Sequence, residues 1–193
     1  MGILDWLKRQ LRPKANTNSQ ATDLQAIFSE SLAPSLSLPS HQDYPIVAIA
    51  TQPSLSAYQV HCLLNNQDKQ RLDALLKGSG FELAVSYDAP LSGILHHPHR
   101  QTKVFLHQYA DFAGICVLLL TNDAELLSQL VSFKAAPPAP WESFPDVDPD
   151  TLGSLQGNIE FWCDAFWRPY WLSLGETERG QYPDNWCEFS EFH

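Results

Sequence analysis

From Tyr44 onward, apolar residues fall into short blocks, alternating or continuous, separated by turn-forming residues. Ile46-Val-Ala-Ile-Ala-Thr51 reads as a short strand and Tyr58-Gln-Val-His-Cys-Leu-Leu64 as a second. A helix should follow with Asn66 as its N-cap. Lys69, Gln70 and Arg71 take its wet side, Leu72, Leu75 and Leu76 its dry side, and Gly78 its stop. Phe81-Glu-Leu-Ala-Val-Ser-Tyr87 alternates again and predicts a strand. Beyond a loop rich in His and Pro, Lys103–His107 and Ile115–Leu120 predict two strands, joined as a hairpin through Ala110-Asp-Phe-Ala-Gly114. Asn122 or Asp123 caps a further helix through Leu126, Leu127, Leu130 and Val131. Clustered strands with intervening helices predict an α+β fold, a mostly antiparallel sheet with helices packed on one face.

The pattern changes towards both ends. Ile3, Leu4, Leu7 and Leu11 recur at helical spacing beside Lys8, Arg9 and Arg12, as in one amphipathic helix docked on the body or on a neighbouring chain. Ser, Thr, Asn, Gln and Pro dominate 13–43, which reads as linker with one short helix near Asp23–Phe28. Residues 1–43 are therefore expected to stand apart from a single domain over 44–193. At Ala135-Ala-Pro-Pro-Ala-Pro140 the chain stiffens, and the composition then shifts sharply. Five of the six tryptophans lie in 137–193, and eleven acids there oppose only Arg168 and Arg179, a net of −9 of the chain's −10. A helix is expected from Gly157 to Phe166, interrupted near Pro169. Another should start at Ser173, where Glu176 gives capping-box spacing.

With 193 residues, 44% of them hydrophobic, the chain can bury one sizeable core. The acidic balance excludes sequence-independent attraction to nucleic-acid phosphates, which needs Lys and Arg, and disfavours an anionic membrane surface. A basic protein is the natural partner class. None of Cys62, Cys116, Cys163 and Cys187 forms a CxxC pair, and the opening Met1-Gly-Ile-Leu-Asp-Trp-Leu-Lys8 is too short and charged for a signal core. Free thiols in a reducing cytoplasm are the simplest expectation.

Few residues suggest chemistry. No nucleophile elbow, phosphate loop, dinucleotide fingerprint or HExxH occurs. His61 adjoins Cys62, but neighbours on a strand point to opposite faces. His96-His97-Pro-His99, with His107, offers ligand types for zinc but no adjacent acid to orient the rings. Asp146-Val-Asp148-Pro-Asp150 lacks the glycine and terminal Glu of a calcium loop and reads as an anionic surface strip. Neither a metal nor a cofactor is expected, and no catalytic residue is assigned. In Phe161-Trp-Cys-Asp-Ala-Phe-Trp-Arg-Pro-Tyr-Trp171 the rings are mostly core, yet too many for one inward helix face. That predicts a partly exposed aromatic patch ringed by acids. The expected partner-binding set is Asp146, Asp148, Asp150, Glu160 and Asp164, with Trp167 or Trp171 as aromatic anchor.

Three stretches carry a resemblance: Pro137-Pro-Ala-Pro-Trp141-Glu-Ser-Phe144-Pro145, Gly153-Ser-Leu-Gln156-Gly157 leading into Phe161-Trp162, and Trp171-Leu-Ser-Leu174 on to Tyr182. Together they resemble immunity proteins encoded beside polymorphic toxins, of the Rhs-type and type VI secretion effector systems. The resemblance covers about the last quarter of the chain. It implies a cytoplasmic, non-enzymatic protein that binds a cognate toxin domain and neutralises it stoichiometrically. Two alternatives stand beside it: an adaptor or chaperone that loads a secreted effector, and a metal-dependent enzyme using the His96–His99 loop.

Overall fold

The period-two pattern of Tyr58–Leu64 becomes an inner strand of a five-stranded antiparallel sheet. The structure, a computed structural model, describes residues 24–28, 36–51, 55–81 and 91–193. The expected amphipathic helix of 1–12 and the expected strand 81–87 beyond Phe81 lie outside the described residues. In chain order the strands are β1 (Val47–Ile49), β2 (Tyr58–Leu64), β3 (Leu91–His96), β4 (Lys103–Asp111) and β5 (Gly114–Thr121). Their spatial order is β1-β2-β5-β4-β3. The fold is α+β, with an aromatic-rich helical segment at the C-terminal end.

One sheet face carries Tyr58, Val60, Cys62 and Leu64, in register with Val117 and Leu119 of β5. Helix α1 (Asn66–Gly78) covers it with Leu72 and Leu76, and α2 (Ala124–Val131) with Leu126, Leu127 and Leu130. Asn65, one residue before the expected cap, accepts the Asp68 N–H through its side chain. Asp123 caps α2 by accepting the Leu126 N–H at 2.8 Å. The β4–β5 turn is a two-residue connection, Phe112-Ala113, with φ of 50° and 59°. Two positive φ values match the twist of a tight hairpin even without glycine.

The other face presents His61, Leu63, Cys116, Leu118 and His107, and the C-terminal segment packs against it. Here α3 (Pro140–Ser143) leads through a 3-10 turn at Pro149–Thr151 to α4 (Asn158–Trp162). Gly157 precedes α4 with φ 67° and ψ −128°, a region open essentially to glycine alone. A π-helical turn (Cys163–Trp167) and α5 (Arg168–Ser173) then continue without a break. The Arg168 N–H reaches back five residues to the Cys163 carbonyl. That wider turn comes directly before Pro169 and carries the helix past it, so the expected interruption does not occur. Helix α6 (Glu176–Arg179) starts after Gly175, whose N–H donates to Glu178 Oε2 at 2.8 Å. Ser173 instead closes α5, its hydroxyl donating to the Tyr170 carbonyl, so the Ser173–Glu176 cap is not formed. Helix α7 (Asp184–Phe192) completes the layer.

Three further readings shift. Leu91-Ser-Gly-Ile-Leu-His96 is a strand, not loop, because β4 offers it a partner edge. The strand expected over 46–51 narrows to Val47–Ile49. Residues 36–43 belong to the body: Leu36 and Leu38 pack on the core, and the Leu36 N–H donates to the Tyr58 hydroxyl. Upstream, 24–28 is helical as expected and buries Phe28 against Leu55 and Leu120.

Candidate protein-binding surface

Aromatic burial decides what the C-terminal segment can offer a partner. Trp167 is 1% exposed and Trp171 2%, so neither presents a ring to solvent and the expected anchor role fails for both. One inward helix face could not hold so many rings, but this helical run is covered on two sides. The sheet contributes Leu63 and Cys116, and α7 contributes Trp186 and Phe189. Trp167 stacks on Trp162 at 5.4 Å and on Trp171 at 6.1 Å between ring centroids. Its indole N–H donates to the Ser190 hydroxyl at 2.7 Å. Two large aromatics of 137–193 do reach the surface: Phe192 at the end of α7, 83% exposed, and Trp141, 41% exposed and backed by Tyr182 and Trp186.

The carboxylates behave oppositely. Asp146, Asp148, Asp150, Glu160 and Asp164 are all exposed, as are the other six acids of 137–193. Among the described residues, Asp164 alone of these eleven forms an ion pair, with Arg168 at 3.4 Å. Several make only short local caps: Asp148 accepts the Asp150 N–H, and Glu142 the Ala139 N–H. In the body, by contrast, carboxylates are committed. Asp68 holds Asn65, Arg71 and the Ala136 N–H, and Asp73 pairs with Lys69 at 2.5 Å. Asp123 holds Arg100, Thr102 and the α2 N-terminus. Lys134 pairs with Asp43 at 2.8 Å, which raises the lysine pKa. The turn carrying Asp148 and Asp150 packs against α7, whereas Asp164 borders a groove along α5.

That groove, about 370 Å³, runs between Ser40–Ile46 and α5, with Pro169 and Leu172 on its helical wall. Leu172 is 63% exposed. Sequence reasoning missed it because Ser40–Gln42 reads as linker and Pro169 as a break.

The chemical candidates separate. His61 meets Phe161 and Phe166 on one sheet face, while Cys62 lies in the core on the other. Burial, with His107 nearby, lowers the His61 pKa to about 4. Burial likewise lowers His107. Burial pushes the Cys116 thiol up to about 12 and Cys163 to about 11, and raises Cys62 further still. None of these three is a thiolate near neutral pH. His96 ends β3, whereas His97 packs on Phe81 and its Nδ1 accepts the His99 N–H at 3.1 Å. Among the described residues, no group of three His, Cys, Asp or Glu side chains could hold a metal ion. None of the described helices is long and apolar enough to cross a membrane. No family model, curated protein or solved structure matches the chain.

Proposed function

We propose that this chain is a cytoplasmic immunity protein that binds a cognate, basic toxin domain and neutralises it stoichiometrically. One observation supports the reading above the others. In 137–193 most of the large rings turn inward while all eleven carboxylates stay at the surface, ten of them with no ion-pair partner among the described residues. Such a surface sets up a negative field over one part of the molecule, which steers a cationic partner into encounter and selects against acidic ones. Trp141 supplies an amphipathic ring beside it, of the type that anchors protein interfaces.

Co-expression with the toxin encoded beside this chain tests the reading. Wild-type chain should restore growth. The quintuple variant D146N/D148N/D150N/E160Q/D164N, folded normally, should restore it less well. An adaptor would leave the toxin active, so growth arrest despite a stable complex would reject immunity.

A further inference from the structure

The outer edge of the sheet is finished by side chains rather than by a strand. The Ala50 N–H donates to the Ala57 carbonyl at 3.0 Å, which sets the alternation along β1. Val47 and Ile49, opposite Val60 and Tyr58, therefore point their N–H and C=O groups away from β2. At Val47 both are occupied by one carboxamide: Gln42 Nε2 donates to the Val47 carbonyl at 3.0 Å, and the Val47 N–H donates to Gln42 Oε1 at 3.1 Å. This is the pair of bonds a neighbouring strand's peptide group would make. The Tyr44 hydroxyl does the same for β2, accepting the Leu63 N–H at 2.7 Å and donating to its carbonyl at 3.0 Å. Unlike Tyr44, which is buried, Gln42 sits on the rim of the groove along α5. Ile49, the next outward-facing position, is 67% exposed.

We infer that the β1 edge receives an extended segment of a cationic protein partner, which pairs with Val47 and Ile49 in place of the Gln42 carboxamide. The inference rests on the proposed function and names where and how the partner binds. The backbone of β1 provides the hydrogen bonds, and alternate partner side chains enter the groove over Ile46, Pro169 and Leu172. Within the groove Asp164 and Arg168 balance each other, so apolar contact and backbone pairing hold the segment. Complementarity of charge comes from the chain's net −10, which favours a cationic partner and disfavours a second copy of the same chain. An exposed edge strand with a removable side-chain cover is a template for strand addition.

Calorimetric titration of the full chain with the toxin domain encoded beside it provides the test. Proline at position 49 removes an N–H that faces away from β2, a position where edge strands tolerate it. I49P should therefore melt like wild type yet bind about tenfold more weakly or worse. Q42A should bind at least as tightly as wild type, because the partner displaces that carboxamide. Should I49P misfold, hydrogen exchange of the wild-type chain decides: the Ile49 amide should be protected in the complex and open in the free protein. Wild-type binding with no Ile49 protection, or with I49P affinity unchanged in a folded variant, overturns edge pairing but leaves the immunity reading. Absence of wild-type binding overturns both. A homodimer of the free chain that I49P dissociates would assign the edge to a second copy and overturn the inference.

Discussion

Ser190→Ala is a small change with a large expected effect. The Ser190 hydroxyl accepts the Trp167 indole N–H at 2.7 Å and donates to the Trp186 carbonyl at 2.6 Å. Both residues are buried. Deleting the hydroxyl leaves an indole N–H enclosed among rings with no acceptor, which should cost roughly 1–3 kcal/mol. Trp167→Phe removes the donor but also part of a ring stacked between Trp162 and Trp171, so it should cost about 2–3 kcal/mol. With both partners gone no donor is stranded. The double variant should therefore cost about 1 kcal/mol less than the sum of the singles. Urea unfolding of the four proteins, followed by circular dichroism, gives the cycle. In thermal melts each kcal/mol should appear as about 2–4 °C. Additive singles, or S190A within about 0.3 kcal/mol of wild type, would refute a buried Trp167–Ser190 bond and reopen Trp167 as a surface residue.

Acid should weaken the fold through His61. Its folded pKa of about 4 lies below the ordinary 6.5, so below that value the unfolded chain takes up a proton that the folded chain refuses. Stability is then full above pH 6.5 and falls towards pH 4, by up to about 3 kcal/mol from this residue, with His107 adding loss of the same sign. Urea midpoints at about pH 7 and about pH 4.5 should converge more closely for H61Q than for wild type, and equal convergence would reject a buried neutral His61. Two glycines should fail for different reasons. Gly157→Ala should cost about 1–3 kcal/mol from φ 67° alone, since nothing lies within 4 Å of the added Cβ. Gly114→Ala should cost at least as much, because its Cβ would lie 2.6 Å from the Leu64 carbonyl oxygen and 2.8 Å from Pro138. Melting curves of the two check both.

Local patterning carried much of this fold. Tyr58–Leu64 alternates because its faces meet two different layers, and α1 and α2 announce themselves through Asn and Asp caps and leucine spacing. What stayed hidden depended on distant partners. Leu91–His96, with its glycine and flanking prolines, becomes a strand through β4. Pro169 sits inside a helical run because the π turn just before it, Cys163–Trp167, rearranges the hydrogen bonds, and no residue type signals such a turn. The tryptophans' two-sided burial required knowing that α7 returns over α4 and α5. The exposure of Asp146, Asp148, Asp150, Glu160 and Asp164 was legible from charge alone. That the turn carrying Asp148 and Asp150 packs on α7 and that Asp164 borders a groove beside α5 was not, nor was Gln42's place on the β1 edge.

The dependence of association rate on salt, measured by stopped flow with the proposed cognate toxin domain, bears most directly on the acidic surface. Over about 20 to 300 mM salt the wild-type rate constant should fall steeply, by about tenfold or more. The quintuple carboxylate variant should start lower and fall less. Because all five side chains are exposed, it should unfold within about 0.5 kcal/mol per substitution of wild type. A rate constant that is flat across that range, or equal in the two proteins, would contradict recognition through the carboxylates of 137–193.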